Sequence, residues 1–268
     1  VIFAAARAAS IRRNIVHIGN YPWHWDTRNF WKYRLLMRWS KPFTSSAVCV
    51  TEHVRQGVEQ YFGRVGQETF VINNGINVGA FSLAKKRTTN GIPVILMVGR
   101  LDIGKDHLTL LHALALLNAA GQPVRLKLAG DGSLARELAE KSVELGISSL
   151  VDFLGARRDI PDLLAAADIF AFSVNAEEGL GIALVEAMAA RVPVVATDVG
   201  ACREVLENGE CGLLVPPRDP AALAEKITWL LSHPEEAREL ADKAYSRAQT
   251  VYHRKEMARK YAALCGAA

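Results

Sequence analysis

Short β-branched apolar runs alternate along this chain with longer segments of helical period, the pattern of parallel α/β architecture. The first series predicts strands at residues 14–18, 47–50 and 69–72, with helices near 27–39 and 52–62 between them. Asn73-Asn74-Gly75-Ile76-Asn77 reads as a turn, and the polar, basic stretch 82–91, with Thr88-Thr89-Asn90-Gly91, reads as a linker. A second series then predicts strands at 94–98, 124–128, 151–154, 169–172, 194–196 and 212–215. Its helices fall near 106–117, 134–145, 160–167, 180–190 and 220–231, and two terminal helices at 235–251 and 254–265 finish the chain. The second series makes one complete doubly wound domain, and the first has the look of the back part of another.

Within the second series one stretch carries chemistry. Glu178-Gly179-Leu180-Gly181-Ile182 leads into Ala183-Leu184-Val185-Glu186-Ala187-Met188, a run of good helix formers that Pro193 closes. Read from sequence, the helix starts at Leu180, with Glu178 in the loop before it and Glu186 about two turns inside. A carboxylate among Val185, Ala187 and Met188 is costly unless it meets a polar partner. The glycines let backbone approach a ligand closely, and a helix N-terminus favours an anion. Two hydroxyl-seeking carboxylates flanking an anion site suit a nucleotide-sugar, which is sugar at both ends and phosphate in the middle. Arg100 follows strand 94–98 at the carboxyl edge, where α/β sheets bind ligands. Lys105 is predicted to open the next helix, where the dipole alone disfavours a cation and a bound anion would explain it.

At 268 residues, half of them apolar, the chain has ample core, and no apolar run approaches the length of a membrane span. Its four scattered cysteines form no CxxC pair and read as reduced thiols of a cytoplasmic protein. The net charge of +4 is unevenly placed. Residues 1–41 hold eight basic side chains (Arg7, Arg12, Arg13, Arg28, Lys32, Arg34, Arg38 and Lys41) against Asp26, and the remainder is −3. Trp23, Trp25, Phe30, Trp31, Tyr33 and Trp39 interleave with them. Such a stretch suits peripheral contact with an anionic membrane through residues 7–41, at the inner face; an ordinary helix with a solvated basic face is the plain alternative. The charge covers one short segment and no RNA- or DNA-binding motif accompanies it, so no nucleic acid partner is expected.

An ordered set of motifs then coincides. Val98-Gly99-Arg100-Leu101-Asp102-Ile103-Gly104-Lys105, Leu128-Ala129-Gly130-Asp131-Gly132 and Phe153-Leu154-Gly155 stand upstream of the EGLG…EAMA pair. Pro193-Val194-Val195-Ala196-Thr197-Asp198-Val199-Gly200 and Gly212-Leu213-Leu214-Val215 stand downstream. Over about residues 45–235 the chain resembles glycosyltransferase family 4, retaining enzymes of the GT-B fold in which two Rossmann-like domains face each other across a nucleotide-sugar cleft. The resemblance implies an α/β chain of GT-B type. Residues 1–82 would be the C-terminal part of the amino-terminal, acceptor-side domain, 83–92 the linker, 93–250 the nucleotide-sugar-binding domain and 251–268 a C-terminal helix.

The resemblance also implies roles. Glu178 would bind donor-sugar hydroxyls and Glu186 the ribose hydroxyls, while Arg100 and Lys105 grip the diphosphate. Backbone N–H groups around Gly179, Leu180, Gly181 and Ile182 would face sugar and phosphate, and the backbone at Arg157 the nucleobase. His17 is a candidate for the amino-domain histidine near the reacting centre; Asn20 or His24 are alternatives for that place. Members of the family carry a glycine-rich loop near their first strand. Nothing equivalent precedes residue 14, so a chain truncated at its amino terminus, with little transfer activity alone, is expected.

Gly130-Asp131-Gly132-Ser133-Leu134-Ala135 has the outline of a dinucleotide fingerprint, but it follows the second strand of its domain, where that fingerprint follows the first. The histidines show no paired metal spacing and there is no GxSxG or P-loop, so neither metal nor cofactor is expected. The function implied is transfer of a sugar from a UDP- or GDP-linked donor to a hydroxyl on a glycan or lipid-linked glycan. A non-catalytic donor-binding fragment and a GT-B-fold sugar-nucleotide epimerase are the alternatives.

Overall fold

A computed structural model describes residues 14–22, 30–82 and 91–266. His24, Trp23, Trp25, Asp26, four of the eight early basic residues and most of the predicted linker lie outside the described residues. Three parallel strands in the order β1-β2-β3 form the first sheet: β1 (Ile15–Ile18), β2 (Ser46–Cys49) and β3 (Glu68–Val71). Helices α1 (Phe30–Ser40) and α2 (Glu52–Phe62) connect them, and α3 (Val78–Ser82) follows. Thr51 caps α2 by accepting from the Val54 N–H, as the Thr-Glu pair ahead of the helical run dictates.

The second sheet has six parallel strands: β4 (Val94–Val98), β5 (Arg125–Ala129), β6 (Val151–Phe153), β7 (Ile169–Phe172), β8 (Val194–Thr197) and β9 (Leu213–Val215). Their order is β6-β5-β4-β7-β8-β9, the doubly wound arrangement whose direction reverses between β4 and β7. Ligands bind such sheets beyond the carboxyl ends of the strands at the reversal, and the loops after β4 and β7 are those carrying Arg100, Lys105 and Glu178. The helices α4 (His107–Ala119), α5 (Ala135–Glu144), α6 (Ile160–Ala165), α7 (Ile182–Ala189), α8 (Gly200–Val205), α9 (Pro220–Ser232), α10 (Pro234–Val251) and α11 (Arg254–Cys265) complete the chain.

Every predicted strand is present to within about a residue at each end. The sequence pattern predicts neither of two short helices, α3 and α8. Two expectations about helix starts need correction. The helix bearing Glu186 begins at Ile182 and not at Leu180, because Gly181 adopts a left-handed conformation (φ 78°) that a helix cannot include, so Glu186 stands about one turn inside. Lys105 does not open α4. Asp106 caps that helix through the Thr109 N–H, leaving Lys105 in the loop, bridged to Val174.

The two sheets are packed differently. One face of the six-stranded sheet has a core of its own, built on Ile95, Leu111, Leu126, Ile147 and Ile227. The other face shares a single cluster with the first sheet: Cys49, Val54 and Phe62 join Phe172, Leu184, Val185 and Tyr252. The chain also returns. After α10 it passes Ile76, whose N–H donates to the Tyr252 carbonyl (2.8 Å) and whose own carbonyl accepts from the Arg254 N–H (2.9 Å). Helix α11 then lies beside the amino ends of β1 to β3, lining with Asn14, Ser46 and Glu68 a groove of about 740 Å³.

Candidate functional site

The site gathers where the sheet reverses. Lys105 and Glu178, 73 residues apart, form an ion pair with both side chains largely buried. The Lys105 ammonium also stands 4.7 Å from the centre of the Phe172 ring. The remaining oxygen of Glu178 accepts from the N–H groups of Gly179 (3.2 Å) and Gly181 (3.1 Å), so both carboxylate oxygens are held. Gly181 passes directly over Phe172, where a Cβ would come within 2.8 Å of the ring. Beyond it, the N–H groups of Ile182 and Ala183 open α7 without an acceptor among the described residues. Together these give a cation, two free helix N–H groups and a clamped carboxylate around one loop, an arrangement able to hold a phosphate on one side and a hydroxyl on the other.

Glu186 is half-buried and has no hydrogen-bond partner among the described residues. Burial pushes its carboxyl up to about 7, so near neutral pH it exchanges a proton and its oxygens are available to hydroxyls. It is the one site carboxylate that the fold leaves unsatisfied. Arg100 occupies the same loop as Lys105 but points to solvent, 83% exposed, and pairs with Asp102 at 2.9 Å. Asp102 in turn accepts from the N–H and hydroxyl of Ser133 (3.0 Å each), which hold its carboxyl below the usual range. That tie joins the loop after β4 to the loop after β5. The glycines there fit the joint: a Cβ on Gly130 would lie 1.8 Å from the Gly99 carbonyl oxygen, and one on Gly132 would lie 2.5 Å from that of Leu101. The GxGxxA outline is thus a close-packing device between two loops.

His107 supports Lys105 from behind. Its ring Nδ1 lies 3.3 Å from the Lys105 carbonyl oxygen, and burial pushes its pKa down to about 4. A neutral ring with its proton on Nδ1 satisfies that carbonyl. Arg157 is turned away toward Asp159, with bonds of 2.8 and 2.5 Å at the surface. His17 lies within β1, exposed, paired in register with Val48. Among the described residues no hydrogen bond or ion pair joins it to Lys105, Glu178 or Glu186. What comes nearer is the turn two residues on, since a Cβ on Gly179 would lie 1.9 Å from the Gly19 carbonyl oxygen.

A second group of residues, absent from the sequence reading, joins this loop to the first sheet. The Thr51 hydroxyl donates to the Gly179 carbonyl (2.8 Å, buried) while accepting from Val54. The Glu204 carboxylate accepts from the N–H groups of Glu52 and His53 (2.9 Å each), capping α2 from across the seam. His53 stacks on Tyr21, with ring centres 4.1 Å apart and planes 6° from parallel. Its Nε2 is buried without a partner among the described residues, and burial lowers its pKa. Gly200 makes the room, since a Cβ there would lie 2.1 Å from the His53 Nδ1. Nothing in the sequence says which carbonyl the Thr51 hydroxyl meets 128 residues away.

Comparisons with known proteins identify the family and the fold. The model of the family "Glycosyl transferases group 1" matches residues 81–247. The chain is 29% identical to a putative glycosyltransferase, EpsD, of Bacillus subtilis, over 88% of this chain and 65% of that protein. It is 35% identical to the phosphatidyl-myo-inositol mannosyltransferase of Mycobacterium leprae, over 70% of this chain and 56% of that one. The chain therefore spans roughly three-fifths of the length of these curated relatives. Among solved structures, Anabaena HepE in complex with UDP and glucose superposes with a TM-score of 0.88 at 26% identity, over 99% of this chain and 74% of that one. Sucrose-phosphate synthase of Thermosynechococcus elongatus, at 22% identity and a TM-score of 0.80, shares the fold. With the six-stranded domain almost wholly inside the matched region and the site at its switch point, the chain belongs to the glycosyl transferases group 1 family, with an α/β fold of GT-B type.

Proposed function

We propose that this chain binds a nucleoside-diphosphate sugar and transfers the sugar to a hydroxyl acceptor with retained anomeric configuration. The observation that carries the reading is the Lys105–Glu178 pair at the point of sheet reversal, next to the unpartnered Glu186. HepE, solved with UDP-glucose, makes a UDP-linked hexose the first donor to try.

In the unliganded site Lys105 and Glu178 satisfy each other. A donor would draw them apart in function without moving them far: the diphosphate takes the ammonium and the N–H groups of Ile182 and Ala183, and the sugar hydroxyls take the carboxylate. Arg100, on its short tether from Asp102, swings over the outer phosphate. Glu186, one turn down α7, accepts from the ribose hydroxyls in its ionised form, and the backbone near Arg157 borders the base. Charge grows on the departing diphosphate as the glycosidic bond breaks, and fixed cations and helix N–H groups supply the largest stabilising effect. Each cation–phosphate contact at about 4 Å is worth on the order of 4 kcal/mol before desolvation at an effective dielectric near 20. The acceptor proton passes to the leaving phosphate oxygen on the same face, so no separate carboxylate base is required. His17, or Asn20 beside it, borders the sugar from the first sheet.

Titration calorimetry with UDP, GDP and ADP tests the reading. Heat of binding with one of them is expected, lost on Lys105→Ala; silence with all three at millimolar ligand overturns it.

A further inference from the structure

Helix α1 contributes nothing to the donor site, and it carries the largest group of exposed apolar side chains among the described residues. Trp31 is 62% exposed, Leu36 63% and Trp39 72%, with Leu35 and, in the turn that follows, Phe43 also exposed. At about 100° per residue, Trp31, Leu35, Trp39 and Leu36 share one arc of about 140°. Met37 stands on the opposite side, where it packs into the shared core. The buried side of the helix is thus accounted for, and the apolar arc is a second, outward one. Arg34 and Arg38 run along one border of that arc, and Lys32 falls within it with its ammonium 5.7 Å from the centre of the Trp31 ring.

The charge is one-sided. From Thr27 to Thr51 the chain holds Arg28, Lys32, Arg34, Arg38 and Lys41, and no acid. Among the described residues Lys32, Arg34, Arg38 and Lys41 make no ion pair with a carboxylate, although most arginines elsewhere do. A protein core or a neutral partner would leave those charges stranded at the rim. An anionic lipid surface takes both features at once: tryptophans settle at the headgroup level, Leu35 and Leu36 enter the acyl boundary, and the cations meet phosphates.

We propose that the outward face of α1 seats this protein on anionic bilayers. Strand β1 runs toward the cleft and β2 starts again at the far edge of the same parallel sheet, so α1 runs back along the sheet from the cleft edge. A protein held by this face presents its cleft sideways to the bilayer, within reach of an acceptor carried there. The seating does not depend on which nucleotide the site binds.

The test is sedimentation of the 268-residue chain with vesicles of phosphatidylcholine alone and with about 30% phosphatidylglycerol, at about 0.05 M and 0.5 M salt. Binding is expected on the anionic vesicles only, weakening at high salt. At roughly 1 kcal/mol per cation, Arg34→Gln with Arg38→Gln should lower partitioning about 30-fold. Quenching of tryptophan emission by brominated lipid should fall in the Trp31→Ala, Trp39→Ala double variant, whose thermal unfolding midpoint matches the parent because both residues are exposed. Equal binding to neutral vesicles, no binding to either, or unchanged partitioning of the arginine variant overturns the proposal. So does a lipid-free dimer in sedimentation equilibrium that the double tryptophan variant dissolves, which would make a second copy the occupant.

Discussion

The two sheets meet at one cleft but hold themselves together by different means. The six-stranded sheet has one face closed over a core of its own, from Ile95 and Leu126 to Ile227. The three-stranded sheet shares its largest described cluster: Val54, Val58 and Phe62 are buried in company with Phe172, Leu184 and Tyr252 from the other side. What the difference teaches is that the donor loop sits on the seam of a borrowed core. Its position depends on both halves, whereas its chemistry is supplied by one.

The comparison breaks most sharply at Tyr252, fully buried within the shared cluster. Removing an aromatic side chain from a core costs about 3–5 kcal/mol. Tyr252→Ala should strip hydrogen-exchange protection from the β1–β3 amides first while those of β4 and β5 hold; Leu111→Ala, in the private core, should loosen the six-stranded sheet. Uniform loss in both variants would show a single undivided core.

Next in size is the approach of the two halves at Gly179. A methyl group there meets the Gly19 carbonyl oxygen and forces the loop away from the first sheet. Displacement of about 1 Å can cost on the order of 100-fold in rate, so Gly179→Ala should lose turnover by that factor while binding of sugar-free UDP survives. Undiminished turnover would mean that the contact is incidental.

Glu186 sharpens the division of labour. Glu186→Ala should weaken nucleoside diphosphate by roughly 1.5–3 kcal/mol, the worth of hydrogen bonds to a charged group, and Glu178→Ala should spare it. Equal affinities would undo the assignment of ribose to one and sugar to the other. The pH dependence has a definite sign. A carboxyl raised to about 7 in the native state gives stability that is present below the ordinary carboxylate range and lost as pH rises through 7. Over the same interval UDP affinity should grow, because the ionised form accepts both hydroxyls. Glu186→Gln should flatten the two profiles together.

The smallest effect belongs to Thr51. Thr51→Val removes a cap and a cross-seam hydrogen bond, about 1 kcal/mol each. Thr51→Ser keeps both, and thermal unfolding of the pair measures the difference.

Much of this molecule could be read from local pattern. The strands at 94–98 and 169–172 are continuous β-branched or aromatic runs, and they form where those runs lie. Glu178, Lys105 and Arg100 stand out because charges next to glycines at strand ends have few structural reasons to be there. Failures came where the decisive partner is distant or small. Gly181 looked like the interior of a helical run, and only its left-handed backbone sets the start of α7. Local pattern sets Lys105 against the dipole of the next helix, yet the charge it meets is 73 residues away. Glu204 caps a helix of the other sheet, and no local pattern marks it for that. No spacing within one segment encodes such meetings; they follow from topology.

The halves are joined at Ile76 by main-chain hydrogen bonds and by the buried Ile76 side chain, and across the donor loop by the side chains of Thr51 and Glu204. Descendants of this chain therefore have little room to drift there, since a Cβ on Gly75 would lie 2.6 Å from the Arg254 Cα and Ile76 is part of the shared core. The grip at the loop, by contrast, can be loosened or tightened one substitution at a time. Attachment is fixed at Ile76, while the ease with which the cleft opens is left to mutation.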